Sequence, residues 1–132
     1  MKGVKARITK ALNVGSRIVC ADNTGAKILE IISVRSYKGT RRRQPKAGLG
    51  DVVKCSVKEG DVKIRKQVVL AVIIRQKAEY RRREGIRIKF EDNAAILVND
   101  AFEPRGTQIK GPVAREVIER FPAVGKIASL VV

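Results

Sequence analysis

The sequence contains no histidine and no tryptophan, and only two of its 132 residues are cysteine. Without histidine the chain cannot form a Ser-His-Asp triad, a Cys-His dyad or a zinc site with an imidazole ligand. Cys20 and Cys55 are separated by 34 residues, and each lies in an apolar run. We therefore expect buried, unpaired thiols in a reducing compartment rather than a disulfide or a metal pair.

Long apolar segments are also lacking. The longest unbroken run, Val68 to Ile74, is about a third of the length that a membrane-spanning helix needs. Residues 1–15 carry scattered lysine and arginine but no apolar stretch typical of a secretory leader. These features predict a cytoplasmic protein with no membrane partner.

Phosphate-binding glycine loops and clustered carboxylates are missing as well. Neither G-x-x-x-x-G-K-[ST] nor G-x-G-x-x-G occurs, and Gly48-Leu49-Gly50 precedes a strand-like run rather than a helix. Aspartates such as Asp22 and Asp92 are followed by asparagine, a pattern typical of turns. The sequence therefore predicts no catalytic residues, no metal site and no cofactor.

Positive charge dominates what is present. The chain has 29 lysine and arginine residues against 13 aspartate and glutamate residues, which gives a net charge of +16. Residues 1–90 hold 24 basic and 7 acidic residues, a net of +17, whereas residues 91–132 hold 5 and 6, a net of −1. This asymmetry predicts a polyanion as the partner of the first part and leaves the C-terminal third free for a second kind of partner.

Two segments concentrate the positive charge, Ser33 to Gly48 and Arg75 to Gly85. One such run is usually a solvated surface, but two arginine-rich runs in a small chain favour nucleic acid, because guanidinium groups pair bidentately with phosphate. Tyr37 and Tyr80 lie in these segments, and each either stacks on a looped-out base or packs within its own loop. With only 4% aromatic residues, the chain suits folded RNA better than single strands.

Strand-like runs rich in valine and isoleucine occupy most of the chain. Their close spacing, with short turns between them, favours a small antiparallel β-barrel over strands that alternate with helices. The length of 132 residues and the 44% hydrophobic content predict one domain, residues 1–132. The segment Arg75 to Gly85 is expected at the tip of a projecting ribbon. The predicted strands are Arg17–Ala21, Lys27–Val34, Asp51–Lys58, Val68–Arg75, Ile86–Phe90 and Ala94–Val98.

A helix is predicted over Pro112–Phe121. Gly111 precedes it, Pro112 fits the first helical turn, and the following proline ends it. Val113, Val117 and Phe121 are spaced four apart, which is typical of a buried helix face. On the outer face, opposite charges are expected to pair at i, i+4, in Arg115–Glu119 and Glu116–Arg120.

Several stretches of the chain belong together as one set: Leu12-Asn13-Val14, Ala21-Asp22-Asn23-Thr24-Gly25-Ala26, Gly50-Asp51-Val52-Val53, Ala71-Val72-Ile73-Ile74 with Gly85, Phe90 and Asn93 downstream, and Gly106-Thr107 followed by Ile109, Gly111-Pro112-Val113 and Arg115-Glu116. Over nearly the whole chain they resemble one protein family, that of ribosomal protein fourteen of the large subunit. Mild departures are Glu84, where aspartate is usual, and Ile96, where valine is usual. The extra N-terminal residues Met1 to Ala11 and the arginine-rich loop at Arg41 to Arg43 resemble the archaeal and eukaryotic branch rather than the bacterial one, and the ending from Ile127 to Val132 resembles the archaeal type.

The resemblance implies a mainly β fold, a small closed five-stranded antiparallel barrel with a projecting β-ribbon and a short C-terminal helical part. It implies a structural, non-enzymatic constituent of the large ribosomal subunit that binds large-subunit ribosomal RNA. It further implies a position at the subunit interface, with small-subunit ribosomal RNA in intersubunit bridges, neighbouring large-subunit proteins, and subunit anti-association factors as partners.

Combining the charge pattern with the resemblance, we predict that arginine and lysine side chains of the two basic segments neutralise RNA phosphates. The predicted RNA-binding residues are Arg35, Lys38, Arg41, Arg42, Arg43, Lys46, Arg75, Lys77, Arg81, Arg82, Arg83, Arg87 and Lys89.

Two other functions are compatible with parts of the sequence. A free-standing RNA chaperone or single-strand binder would share the barrel and the charge, but the scarcity of aromatic residues disfavours it. A metal-dependent RNA-processing enzyme would need clustered carboxylates, which the sequence does not offer.

Overall fold

A computed structural model describes residues 8–35, 39 and 41–132. Tyr37 and Lys38 lie outside the described residues. Two short helices, α1 (Arg115–Arg120) and α2 (Pro122–Gly125), fall near the end of this part of the chain. The strands are β1 (Leu12–Asn13), β2 (Arg17–Cys20), β3 (Ala26–Val34), β4 (Lys46–Ala47), β5 (Val52–Gly60), β6 (Val68–Arg75), β7 (Tyr80–Arg81), β8 (Arg87–Ile88), β9 (Ala94–Val98), β10 (Pro112–Val113) and β11 (Leu130–Val131).

Five strands form a closed barrel in the order β2-β3-β5-β6-β9. The predicted mainly β barrel is therefore confirmed, with one correction to its strand directions. Neighbours from β2 to β9 run antiparallel, but β9 pairs with β2 in parallel, with Val19 opposite Ala94 and Cys20 opposite Ala95. Because the number of strands is odd, an alternating sequence of directions brings the first and last strands together pointing the same way.

The apolar side chains form two clusters separated by the wall of the barrel. One fills the interior and includes Leu29, Val53 and Ile73. The other lies between the outer face of the barrel and the C-terminal segment and includes Val72 and Ile96. β6 and β9 are therefore covered on both faces, which explains why they are continuous apolar runs rather than alternating ones.

Both cysteines, Cys20 and Cys55, lie in the barrel interior, and the prediction that they are buried and unpaired is confirmed. Burial raises the pKa of each thiol to about 12, so both stay protonated near neutral pH.

The predicted strand bounds agree with β6 and β9 at both ends and with β2, β3 and β5 to within two residues. The prediction of a strand over Ile86–Phe90 was wrong in extent, since only Arg87–Ile88 pairs, with β7. The backbone N–H of Phe90 instead donates to the carbonyl of Gln76 at 3.0 Å, which draws the chain back to the barrel. The two-residue strands β1, β4, β10 and β11 carry no pattern long enough to be recognised.

The predicted start of the helix was also wrong. Pro112–Val113 is extended and pairs in parallel with Leu130–Val131, so α1 begins only at Arg115. Ala114 precedes the helix with an extended backbone, φ −69° and ψ 141°. Pro122 does follow the last residues of α1, but it also occupies the first turn of α2.

One of the two predicted ion pairs on α1 is present. Arg115 lies 3.9 Å from Glu119, and both side chains are exposed. The predicted pair between Glu116 and Arg120 is not formed, because Arg120 is buried and lies 3.4 Å from Asp51, at the entrance to β5. The helix is therefore tied to the barrel by charge as well as by apolar contact.

Replacing Phe121 by alanine should lower the free energy of unfolding by about 3–5 kcal/mol. The side chain is fully buried between α1, α2 and the barrel, and its ring lies 5.6 Å from that of Phe102. Urea denaturation would measure the loss. Val62→Ala is a suitable control, because Val62 is 85% exposed and should change stability by about 0.5 kcal/mol at most. Equal stability of the two variants would contradict a core role for Phe121.

Candidate nucleic-acid interface

The first basic surface is the arginine loop, residues 41–45, which lies between β3 and β4. Arg41, Arg42 and Arg43 are all exposed. Arg42 has a φ of 69°, a left-handed backbone that marks a turn. In the part of the chain that the structure describes, none of these three side chains has a hydrogen-bond or ion-pair partner. Three adjacent guanidinium groups are thus available to an external anion.

The arginine loop is held at its base by short pairings and a buried carboxylate. Lys46–Ala47 pairs with Leu12–Asn13, and Lys46 itself is exposed. Asp51 accepts a hydrogen bond of 2.8 Å from the backbone N–H of Gly48 and lies 3.6 Å from the Lys10 ammonium group. These contacts fix where the loop leaves the barrel.

The second basic surface is the ribbon, residues 80–88, formed by β7, β8 and the turn between them. The N–H of Arg82 donates to the carbonyl of Ile86 at 2.9 Å, and Gly85 has a φ of 90° in the turn. Arg81, Arg83 and Arg87 are exposed along the ribbon. Lys77 and Lys89 flank it and are exposed as well.

The buried side chain of Gln76 joins the bases of the two basic surfaces. Its Oε1 accepts a hydrogen bond of 2.8 Å from the N–H of Leu49, just beyond the arginine loop. Its Nε2 donates to the carbonyls of Thr9 and Ala78, at 3.1 and 3.0 Å. Because Ala78 leads into the ribbon, one satisfied amide ties the roots of both segments together.

Arg82 does not share the exposure of its neighbours. Its guanidinium group contacts the Glu116 carboxylate at 2.5 and 3.2 Å and donates to the carbonyl of Val132 at 2.7 Å. The side chains of Arg82 and Glu116 are only 11% and 10% exposed. The hydroxyl of Tyr80 also donates to Glu116, at 3.1 Å. This cluster attaches the ribbon to α1 and to the end of the chain.

The charges in this cluster shift the pKa values of its members. Burial, the largest single effect, would raise the pKa of Glu116. The hydrogen bonds that its carboxylate accepts, together with the positive charge of Arg82, outweigh burial in combination, so the pKa is lowered below its ordinary value. Burial, together with the nearby carboxylate of Glu116, raises the pKa of Tyr80 to about 12. Glu116 is therefore ionised and Tyr80 is neutral at neutral pH.

Arg75 is likewise committed to internal contacts. It is 6% exposed, and its guanidinium group binds both carboxylate oxygens of Asp92, at 2.9 and 3.2 Å. It also donates to the carbonyls of Lys110 and Pro112, at 2.8 and 2.9 Å. These bonds hold the segment before α1 against the end of β6.

The predicted RNA-binding residues differ in how far they face solvent. Arg75 and Arg82 are engaged in contacts within the protein, and Lys38 lies outside the described residues. Tyr80 is 2% exposed and packs in the apolar cluster between the barrel and the C-terminal segment, so its ring does not face outward to stack on a base. The exposed members that remain are Arg35, Arg41, Arg42, Arg43, Lys46, Lys77, Arg81, Arg83, Arg87 and Lys89.

Other kinds of site find little support in the described residues. No group of three or more cysteine, aspartate or glutamate side chains among residues 8–35, 39 and 41–132 could hold a metal ion. None of the helices in these ranges is long and apolar enough to cross a membrane.

Comparison with known proteins decides the family. The model of the family "Ribosomal protein L14p/L23e" matches residues 11–132. The large ribosomal subunit protein uL14 of Methanocorpusculum labreanum is 53% identical over 132 residues and is covered, like this chain, over its full length. The uL14 proteins of Methanothrix thermoacetophila and Halorubrum lacusprofundi are each 54% identical over 132 residues, again at full coverage. The chain belongs to this family.

Membership in the L14p/L23e family makes the chain a structural constituent of the large ribosomal subunit, as the sequence predicts. The family consists of structural ribosomal proteins rather than enzymes. The archaeal sources of these relatives also confirm the prediction of an archaeal-type member.

Sequence patterns missed the residues that position the two basic surfaces of this L14p/L23e member. Gln76 and Glu116 act on partners that lie up to 67 residues away in the chain, and no local spacing links them. For Gln76 the sequence offers one signal, a polar residue directly after an apolar strand. For Glu116 it offers none, since the spacing predicted a pair with Arg120 on the outer face of the helix.

Replacing Arg82 by alanine should destabilise the protein by about 3 kcal/mol, because it leaves the Glu116 carboxylate buried without its cation. Urea denaturation at neutral pH would measure the change. Arg81→Ala removes the same charge from an exposed neighbour and should cost about 0.5 kcal/mol or less. A similar small effect for both variants would show that the Arg82 contacts do not stabilise the fold.

The stabilising effect of Glu116 should depend on pH. Because its pKa is lowered in the folded protein, its contribution is full above the pKa of the unfolded chain and is lost as pH falls through the folded-state pKa. The difference in free energy of unfolding between the wild type and Glu116→Gln should therefore be largest at neutral pH and shrink under acidic conditions. A difference that stays constant from neutral to acidic pH would contradict this assignment.

Proposed function

We propose that this protein binds folded large-subunit ribosomal RNA through the exposed cations of the arginine loop and the ribbon. The observation that carries the proposal is that Gln76 joins the bases of the arginine loop and the ribbon, while the guanidinium groups at the outer ends of both are exposed. Two basic projections with a common root can contact separate parts of a folded RNA at once. Such binding relies on phosphate contacts and shape rather than on stacking with single-stranded bases.

As a constituent of the large subunit, the protein has ribosomal RNA and other ribosomal proteins as its partners. The charge distribution suggests how they are divided. The two basic surfaces belong to the part of the chain with a net charge of +17, which suits RNA. The remaining part is nearly neutral and exposes Leu130 and Val131, which suits protein.

We also propose that the protein lies at the subunit interface and contacts small-subunit ribosomal RNA in intersubunit bridges. The support is the resemblance of the sequence to the family of ribosomal protein fourteen of the large subunit. In addition, the arginine loop and the ribbon are two separate basic surfaces, which suits contact with two RNA molecules. We propose in the same way that the near-neutral C-terminal third contacts neighbouring ribosomal proteins and factors that keep the subunits apart.

Sedimentation of a cell lysate through a sucrose gradient tests whether association with the subunit is strong. We expect the protein to migrate with the large subunit at about one copy per particle and to remain there after a high-salt wash, because many phosphate contacts act together. Recovery mainly in the soluble top fractions, or loss of the protein at high salt, would instead indicate a loosely bound RNA chaperone.

Combined replacement of Arg81 and Arg83 by alanine should weaken RNA binding and reduce its dependence on salt. Each lost phosphate contact should flatten the slope of log affinity against log salt concentration by roughly 0.7–0.9. Affinity for a large-subunit ribosomal RNA fragment would be measured over a range of salt concentrations.

A matched control is the double variant Lys63→Ala and Lys126→Ala, which removes the same charge from exposed positions outside both basic surfaces. If this control and the ribbon variant have the same affinity and the same slope, the ribbon acts only through the overall charge of the protein. That result would contradict direct contact between the ribbon and RNA.

A further inference from the structure

A groove with a volume of about 700 Å³ opens on the outer surface of the barrel, outside both the arginine loop and the ribbon. Its floor is one row of residues that crosses four neighbouring strands. Ser33 of β3 lies opposite Lys54 of β5, Lys54 opposite Leu70 of β6, and Leu70 opposite Val98 of β9. The floor is thus set by the register of the barrel rather than by a mobile loop.

One wall of the groove is the segment that follows β9, which is held by its own hydrogen bonds. The side-chain oxygen of Asn99 accepts from the N–H groups of Ala101 and Glu103, both at 3.0 Å. The N–H of Arg105 donates to the carbonyl of Leu97 at 3.0 Å. The backbone of Arg105 is consequently held at the rim of the groove, and its side chain is exposed there.

Arg35 stands at the groove beyond the end of β3. Its guanidinium carbon lies 5.0 Å from the centre of the Phe102 ring, close enough for a cation–π contact. The ring restrains the position of the guanidinium group without using its hydrogen-bond donors, so they remain available to an anion.

The groove carries three cations and one carboxylate. Arg35, Lys54 and Arg105 line it together with Asp100. Among the described residues, neither Lys54 nor Arg105 forms an ion pair. The floor between them includes apolar side chains such as Leu70, and charges beside an apolar surface are screened less than those in open water. The groove therefore combines an excess of positive charge with an apolar floor, which suits an extended anion.

We propose that this groove binds the sugar–phosphate backbone of large-subunit ribosomal RNA, at a contact separate from the arginine loop and the ribbon. Lys54, Arg105 and Arg35 bind phosphates, and the Ser33 hydroxyl is placed to meet a ribose hydroxyl. The inference rests on the proposed RNA-binding function and extends it to two residues, Lys54 and Arg105, that lie outside both basic segments. An RNA backbone fits better than an acidic protein segment, because the cations are spread along an open groove.

The test compares full-length protein carrying Lys54→Ala and Arg105→Ala with the wild type. Affinity for a large-subunit ribosomal RNA fragment is measured across a salt series, and thermal unfolding confirms that the variant is folded. We expect affinity to fall at least tenfold at moderate salt and the log–log slope to flatten by roughly 1.4–1.8, the value for two lost phosphate contacts. The variant Lys63→Ala and Lys126→Ala, which loses the same charge outside the groove, should show a clearly smaller change.

A position-specific readout complements the salt series. Because Cys20 and Cys55 are buried, a thiol introduced as Lys54→Cys can be labelled selectively with a tethered iron chelate that cleaves nearby RNA. Cleavage of ribosomal RNA in reconstituted large subunits from this position supports the proposal. Absence of cleavage from Lys54→Cys, where Arg83→Cys does cleave, overturns it.

The outcomes separate this inference from the proposed function. If the Arg81 and Arg83 variant loses affinity while the groove variant matches its charge control, the groove proposal fails and the proposed function stands. If neither variant differs from the control, both fail. If the groove variant binds RNA normally but loses affinity for polyglutamate, the groove is a docking site for acidic protein, and the inference is overturned.

Discussion

Closure of the barrel through β2 and β9 is the constraint on which the remaining structure depends. Asp22, two residues after the end of β2, reinforces this closure, since its carboxylate accepts hydrogen bonds from the N–H of Leu97 at 2.9 Å and from the hydroxyl of Thr24 at 2.6 Å. Because β2 and β9 pair with each other, the barrel sheet has no free edge. The C-terminal segment packs on the outer faces of β6 and β9. The two basic surfaces and the groove are all positioned relative to this closed wall.

Arginine serves two opposite purposes in this molecule, and the difference lies in the neighbouring acceptors. Arg75, Arg82 and Arg120 each meet a carboxylate and at least one backbone carbonyl, so they act as internal ties. Arg41 and Arg43 meet no such acceptors among the described residues and keep their donors exposed. Unpaired like charges repel one another in the free protein, and binding to RNA phosphates would relieve that repulsion.

Some of this structure could be predicted from local patterns. β6 and β9 were recognisable because runs of branched apolar residues between turns are typical of strands buried on both faces. The burial of Val117 and Phe121 was predicted from their spacing, whereas the burial of Arg120 and the start of α1 were not. Pro112 satisfies the rules for a first helical turn but pairs with Leu130 in a strand. The pairing of Leu130 could not be foreseen, because two-residue strands depend on what lies beside them.

The sequence by itself determined the class of fold, the positive charge of the first 90 residues, the two arginine-rich segments and the resemblance to a ribosomal family. These properties follow from composition, periodicity and motifs, which are local. Only the tertiary structure decided which cations face outward and which are internal, that Gln76 joins the two basic surfaces, and that Lys54 and Arg105 share a groove. Each of these depends on contacts between residues far apart in the chain, which chain folding creates and sequence spacing does not encode.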